Sequence, residues 1–323
     1  MRGDNQNVAG LDEHDIDKGH GTAVAGILLY GDELQGEHYT GCKPMWLTSC
    51  IVNTDPSKAI IEEVEMVEYI RTAIADNPNV KVWNLSQGTN TEVSDDCFSD
   101  FAIFLDSLQK EYGVLICKSA GNQLHPDTGE LRITHGADSI RSLVVGSISH
   151  DKKDPRDGEI NERSPFSRIG FGPEFLVKPD VVHYGGNLIT GVQSFSFTGY
   201  QCGLWVGTSF STPRVAALAA NLGKVLSGDF NPLLVKALII HSSEYPGSVN
   251  ASSDALLKEQ GYGLPAPMDD ILNNDADEFT MVFQPVITRG EDYQILDFPF
   301  PSTMVDDDGY FYGDITVTVV TDP

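Results

Sequence analysis

Hydrophobic and polar positions along the chain follow two different periods, and the period changes several times. Apolar residues recur at helical spacing over 59–75 and 98–112. Short runs that are almost continuously apolar lie between and after these segments, at 80–86, 114–117 and 143–148. Helices that alternate with buried strands are typical of a parallel sheet covered on both faces. The pattern therefore predicts a three-layer α/β fold.

The pattern changes towards the C-terminus. Further helices are predicted at 209–226 and 233–241, but from about residue 278 the segments become aromatic and β-branched. Residues 315–320 alternate like a strand. We expect one α/β domain over residues 1–275 and the start of a small C-terminal β extension over 276–323.

The charge of the chain excludes some classes of partner. The 323 residues include 21 basic and 47 acidic side chains, which give a net charge of −26. Nucleic-acid binding depends on basic residues that neutralise phosphates, so we expect no nucleic-acid partner. Adhesion to anionic membranes is disfavoured for the same reason, and no apolar run approaches the length of a membrane span. We expect no membrane partner.

The cysteines indicate a compartment. Their number is five, which is odd, and their spacing is not that of a disulfide framework. Cys117 lies in an apolar run, where a cysteine usually serves as a small buried hydrophobe. Free thiols are typical of a reducing environment, so the sequence predicts a cytoplasmic protein.

Two small-residue segments each bring one chemically active side chain to the start of a helix. Gly207–Pro213 presents Ser209, and Gly19–Gly26 presents His20. Serine is a weak nucleophile unless a neighbouring base takes its proton, and histidine performs that task near neutral pH. The pair predicts acyl transfer through a serine ester. The alternatives are a serine that caps a helix and a polar histidine at a helix start.

These segments resemble the subtilisin-like serine proteases. His-Gly-Thr-x-Val-Ala-Gly begins at His20, and Gly-Thr-Ser-x-x-x-Pro ends at Pro213. Ser119–Asn122 is similar to the family's oxyanion-hole segment, and Asn84–Gly88 is similar to its substrate strand. The four segments follow the family's order, and the likeness is strongest to bacterial intracellular-type members.

The resemblance implies a serine endopeptidase that acts on peptides or proteins. Ser209 would form the acyl-enzyme, with His20 as the general base. The side-chain amide of Asn122, with the backbone N–H of Ser209, would bind the oxyanion. The order of the motif segments favours this role for Asn122; the alternative is an ordinary asparagine in a turn.

The resemblance also implies a primary specificity pocket between two short segments, along one of which a peptide substrate would add as a strand. The walls of this pocket would be Ser86, Gln87, Gly88, Ser119, Ala120 and Gly121. The alternative is an ordinary exit from two strands. Gln87 is unusual at its position and leaves the side-chain preference open.

The family requires no cofactor, although many members bind a structural calcium ion. The sequence contains no calcium-loop pattern. Acidic residues and histidines lie close together before and at His20, but their spacing is not that of a zinc site. We predict no metal ligand here and interpret the acidic residues as a solvated loop.

The family's aspartate motif is missing. Only nineteen residues precede His20, and they contain no hydrophobic strand followed by an Asp-Thr/Ser-Gly turn. We expect the chain to begin inside the catalytic domain, to end inside the β extension, and to be inactive alone. The rival interpretation is a pseudoprotease that binds peptides or proteins without cutting them.

Overall fold

The structure is a computed structural model that describes residues 3–55, 57–58, 61–123, 131–247, 253–273, 278–296, 298 and 300–321. The α-helices are α1 Lys18–Gln35, α2 Glu63–Asp76, α3 Asp100–Tyr112, α4 Thr208–Val225, α5 Pro232–His241, α6 Ser253–Gln260 and α7 Met268–Ile271. The strands are β1 Gly3–Gln6, β2 Leu47–Cys50, β3 Val82–Leu85, β4 Leu115–Ser119, β5 Leu143–Ile148, β6 Val181–Tyr184, β7 Val192–Phe195, β8 Gln201–Trp205, β9 Ser243–Glu244 and β10 Leu264–Pro265.

The central sheet has the strand order β3-β4-β5-β6, and all its pairs are parallel. Side chains alternate between its faces, as the pleat of a strand requires. On β4, Leu115 and Cys117 face one apolar cluster, whereas Ile116 and Val114, the residue before the strand, face another. Every residue of β4 and β5 is buried. The sheet is thus covered on both faces.

One helical layer consists mainly of α4 and α5, whose Val215, Leu218 and Leu238 pack on the first cluster. The opposite layer consists of α2 and α3, whose Ile70 and Phe101 pack on the second cluster. These layers confirm the three-layer α/β fold.

A second, smaller sheet contains β1 and β2, which pair in parallel. Among the described residues, no backbone hydrogen bond joins β2 to β3. An apolar trough separates these two strands, lined by Cys50, Val52, Ile70, Ala73, Ile74, Trp83, Asn84, Leu85 and Ile116. The parallel strands of the molecule are therefore divided into two groups with a trough between them.

An antiparallel hairpin of β7 and β8 packs against α1. A Cβ atom on Gly26 would lie 2.5 Å from the Ser194 hydroxyl, so this contact needs glycine. The Ser194 hydroxyl donates to the Ala23 carbonyl oxygen at 2.6 Å. The contact holds α1 against the hairpin, with Trp205 and Phe210 packed in the same region.

Several predicted elements are found close to their predicted bounds. β5 coincides with the predicted run, and α3, α4 and α5 differ from prediction by one or two residues. β1 was missed because its four residues are polar, not hydrophobic. The expected strand at 315–320 is absent from the described residues, where this segment is irregular. The domain boundary at 275 stays a prediction.

Candidate active site

Ser209 lies in the first turn of α4, where the backbone turns sharply. Gly207 has a φ of 144°, a conformation that residues with side chains rarely adopt. Its N–H donates to the Gly185 carbonyl oxygen at 2.9 Å. The turn leaves Ser209 half-buried at the N-terminal end of an 18-residue helix, where the unpaired N–H groups favour negative charge.

Ser86 at the exit of β3 supports the first turn of α4. Pro213 lacks the N–H that would normally bond to the Ser209 carbonyl oxygen four residues earlier. The Ser86 hydroxyl donates to that oxygen instead, at 2.9 Å. In return, the Ser209 hydroxyl donates to the Ser86 carbonyl oxygen at 3.3 Å. The two serines thus tie the helix start to the edge of the sheet.

His20 lies in the first turn of α1, which Asp17 caps. The Asp17 carboxylate accepts hydrogen bonds from the backbone N–H groups of Gly19 and His20, at 2.9 and 3.1 Å. The His20 ring centroid is 5.6 Å from that of Phe210, the residue after Ser209. Burial lowers the pKa of His20 below its ordinary value, and the Asp17 charge partly opposes this shift. Burial thus favours the uncharged form of the imidazole, which lies beside the serine segment.

The structure brings His20 and Ser209 into one region but does not join them. Among the described residues, no hydrogen bond links the His20 ring to the Ser209 hydroxyl or to any carboxylate. The oxygen of Asp17 that accepts hydrogen bonds serves backbone groups instead. The described residues therefore contain no serine hydroxyl, histidine ring and carboxylate joined by hydrogen bonds.

Asn122 follows β4 and faces the start of α4. Its side-chain oxygen accepts from the backbone N–H and the hydroxyl of Thr208, at 2.8 and 3.0 Å. This fixes the amide, and its nitrogen lies 3.2 Å from the position that a Cβ atom on Gly207 would occupy. The amide N–H groups have no hydrogen-bond acceptor among the described residues. They remain available as donors beside Ser209.

The two predicted pocket walls leave the sheet at the same edge, because β3 and β4 are adjacent and parallel. Ser86, Ser119 and Ala120 are buried, whereas Gly88 is exposed. Positions for a Cβ atom on Gly88 and on Gly121 lie 3.7 and 3.0 Å from the Thr134 hydroxyl oxygen. Gln87 accepts from the Asn53 side chain at 3.2 Å. Both glycines therefore lie close to Thr134, and neither has a side chain that would fill the space beside it.

Comparison with protein families identifies the chain. The model of the subtilase family, peptidase family S8, matches residues 2–263. This chain belongs to the subtilase family. The family consists of serine proteases, which agrees with the resemblance of the four motif segments and with the fold.

One curated relative matches this subtilase over 214 residues with 30% identity, the uncharacterized protein y4bN of Sinorhizobium fredii. The matched region covers 51% of this chain and 49% of that protein. The chain therefore spans about half the length of this relative.

Solved structures of proteases share the fold of this subtilase. The prenylagaramide maturation protease PagA matches with a TM-score of 0.56 and 18% identity, covering 84% of this chain and 92% of that one. A cold-adapted subtilisin-like serine proteinase matches with a TM-score of 0.56 and 23% identity, covering 82% of each chain. The patellamide maturation protease PatA has a TM-score of 0.56 and 19% identity, covering 82% of this chain and 93% of PatA.

The described part of this subtilase shows no group of three or more histidine, cysteine or acidic side chains placed to hold a metal ion. The expectations on calcium and on cofactors stay predictions. All five cysteines carry free thiols, and burial raises the pKa of Cys42 to about 12 and that of Cys50 to about 11. None of the described helices combines the length and hydropathy that crossing a bilayer requires.

Sequence reasoning missed two residues that the structure places at this site. Thr208 bonds to Asn122 through both its backbone and its side chain, and its hydroxyl also accepts from the Gly121 N–H at 3.3 Å. Lys118 lies fully buried on β4, directly before the second pocket wall. The sequence offered one signal for Lys118: a single charged residue directly follows the apolar run 114–117.

Proposed function

We propose that this chain carries the catalytic serine, base and oxyanion donor of a subtilisin-like endopeptidase that hydrolyses peptide bonds. Ser209 would attack the carbonyl carbon, His20 would take its proton and return it to the leaving amine, and Asn122 would donate to the oxyanion. The observation that carries this proposal is the side-chain NH2 group of Asn122. It has no acceptor among the described residues and lies beside the helix start that holds Ser209.

Covalent labelling tests the assignment of the nucleophile. A fluorophosphonate probe should modify Ser209, and Ser209→Ala should remain unlabelled. Ser211→Ala is the matched control, because Ser211 is fully buried and its hydroxyl donates to the Thr208 carbonyl oxygen at 3.1 Å. Peptide mapping that finds the label on Ser211, or persistent labelling of Ser209→Ala, would refute the assignment.

Hydrolysis by this mechanism requires an acid that orients the His20 ring. A triad aspartate fixes the histidine tautomer, and its replacement by asparagine in a well-studied protease lowers turnover about ten-thousand-fold. Since no described carboxylate contacts the His20 ring, we expect residues 1–323 alone to hydrolyse peptides slowly or not at all. A version of the protein that also contains an aspartate motif should hydrolyse peptides faster than residues 1–323 do.

A second candidate function is peptide binding without hydrolysis. It is favoured by the lack of a hydrogen bond between the His20 ring and the Ser209 hydroxyl, which donates to the Ser86 carbonyl oxygen among the described residues. Measurements of peptide hydrolysis and peptide binding distinguish the two functions. Equal and negligible hydrolysis by both versions, with peptides still bound, would favour the binding module. Robust hydrolysis by residues 1–323, abolished in His20→Ala, would show that an acid within this chain orients His20.

A further inference from the structure

Lys118 is a fully buried cation with few partners. Its ammonium group donates one hydrogen bond, to the Ser119 carbonyl oxygen at 2.9 Å. Among the described residues, no carboxylate oxygen lies within 4.0 Å of its Nζ atom. An ammonium group has three N–H donors, so two remain unused. Charged side chains are almost never fully buried unless they are paired, which makes this lysine exceptional.

The nearest carboxylates are already engaged with other groups. Asp138 and Glu63 influence Lys118 only at longer range. Asp138 accepts from the backbone and hydroxyl of Ser99, at 2.6 and 2.7 Å, and from the Gly136 N–H at 3.0 Å. Glu63 faces His135 at 3.5 Å. Neither carboxylate is directed at the ammonium group as a counter-ion.

The ammonium group lies beneath the exposed end of one pocket wall. The position of a Cβ atom on Gly88 is 3.8 Å from Lys118 Nζ and 3.7 Å from the Thr134 hydroxyl oxygen. The Thr134 hydroxyl is buried and has no hydrogen-bond partner among the described residues, and the same holds for Thr89. Around Gly88, therefore, an ammonium group and the Thr134 hydroxyl both have hydrogen-bonding capacity that the described residues do not use.

This arrangement suits one kind of side chain. A carboxylate would accept from the ammonium group and from the Thr134 hydroxyl, and charge-assisted hydrogen bonds of this kind are strong where water is excluded. We propose that Lys118 and Thr134 bind the acidic side chain of the substrate residue that precedes the scissile bond, so that the enzyme selects aspartate or glutamate there. This inference rests on the proposed function, because it places the substrate between the two pocket walls.

The neighbouring cation does not compete for this role. Arg168 packs against Gly121, but its guanidinium donates to Glu92 and to the Arg132 carbonyl, both at 2.6 Å, and to Gln123 at 2.9 Å. Its donors are thus used within the protein. Of these two cations, Lys118 is the one whose N–H donors are not all used by the described residues.

Binding tests the inference independently of hydrolysis. Residues 1–323 carrying Ser209→Ala are titrated by fluorescence anisotropy with blocked peptides that differ only by glutamate or glutamine at one position. We expect the glutamate peptide to bind about ten- to a hundredfold more tightly, as charge-assisted hydrogen bonds allow. In Lys118→Met this ratio should fall to about one, and in Thr134→Val it should decrease. Lys224→Met is the control: it removes an exposed positive charge from the last turn of α4, at the opposite end of that helix from Ser209, and should keep the ratio.

Hydrolysis of the same peptides separates the two proposals. If the active version cuts both peptides but shows no preference for glutamate, the acidic specificity is overturned and the protease assignment stands. If nothing is cut but glutamate peptides bind more tightly through Lys118, the acidic site stands and the protease assignment fails. Should Lys118→Met not fold, the wild-type ratio decides: a ratio of one or less rejects the inference.

Discussion

Two groups of buried lysines illustrate how the same side chain can stabilise a core in one place and remain available in another. Below the sheet, that is, at the end where β5 and β6 begin, Lys178 and Lys236 both contact Asp180, at 2.6 and 3.1 Å. At the carboxyl edge of the sheet, Lys118 is also buried, but among the described residues it donates only to the Ser119 carbonyl oxygen. The two sites therefore differ in whether the ammonium group contacts a carboxylate, and not in how deeply the lysine is buried.

The Asp180 group has the features of a structural network. The three side chains are nearly inaccessible, and the ammonium groups also donate to the carbonyl oxygens of Ser142 and Ile140 at 2.8–3.2 Å. The carboxylate accepts from the Val144 N–H at 2.7 Å. At the carboxyl edge, by contrast, Lys118 and Asn122 have N–H donors without an acceptor among the described residues. We infer that changes below the sheet affect stability, whereas changes at the edge affect chemistry.

The largest expected effect tests the network below the sheet. Asp180→Asn leaves two buried ammonium groups without a countercharge, and breaking such a buried pair costs about 3–5 kcal/mol. Urea denaturation should show this loss in the free energy of unfolding. A loss below about 1 kcal/mol would show that the network is not structural.

Lys118→Met is the counterpart at the edge and should leave the free energy of unfolding unchanged or increased. Burial lowers the pKa of Lys118 from 10.5 to about 7, so the unfolded chain binds more protons than the folded chain between these values. The lysine therefore destabilises the fold most below about pH 7, and stability recovers as the pH rises towards 10.5. A large destabilisation in Lys118→Met would abolish the contrast.

The next effect concerns catalysis at the edge. In the version active on peptides, Asn122→Ala should lower kcat about hundred- to thousandfold, because an oxyanion donor is lost. Asn221→Ala is a matched control on α4, where Asn221 bonds to Lys43 far from Ser209. Initial-rate kinetics with one peptide measure both variants. A kcat that is similar in Asn122→Ala and Asn221→Ala would contradict the role of Asn122.

A smaller effect is the pH dependence of specificity. The ammonium form of Lys118 predominates below about pH 7, so the ratio of kcat/KM for glutamate over glutamine peptides should decline as the pH rises through that value. Titration of His20 affects both peptides equally and cancels in the ratio. The charges of Asp138 and Glu63 also act on Lys118, and Glu63 faces His135. In Lys118→Met the ratio should not vary between about pH 6 and pH 9.

The smallest effect tests the support of the Ser209 turn. Ser86→Ala removes the donor to the Ser209 carbonyl oxygen and should lower the free energy of unfolding by about 1 kcal/mol. In a Pro213→Ala background the loss should shrink, because residue 213 then supplies the helical N–H. A double-mutant cycle measures this coupling. Additive losses would mean that Ser86 does not replace the missing donor.

The sequence was sufficient for the parts of the fold that depend on burial. The continuous apolar run of β5 and the amphipathic α3 are found as predicted. β1 and the β7–β8 hairpin were missed because backbone pairing holds them while polar residues such as Asn5 and Gln201 remain on the surface. The alternating segment at 315–320 forms no strand in the described residues.

The candidate site was predictable as a set of residues but not as a set of contacts. Motif order identified His20, Asn122 and Ser209, whose roles remain proposals. It did not indicate that Ser86 would replace the donor missing from Pro213, since the hydrogen bond that does so joins Ser86 to Ser209, 123 positions further along the chain. Nor did it reveal Lys118, because whether a buried charge has a partner depends on tertiary packing.

The trough between β2 and β3 divides the molecule into cooperative units of unequal strength. β4 and β5 are buried throughout, whereas three of the four residues of β1 are exposed. Backbone hydrogen bonds do not bridge the described strands on either side of the trough, so the β1–β2 pair can open without breaking the central sheet. Amide protons of β1 should consequently exchange with solvent through local opening, long before those of β4 exchange through global unfolding.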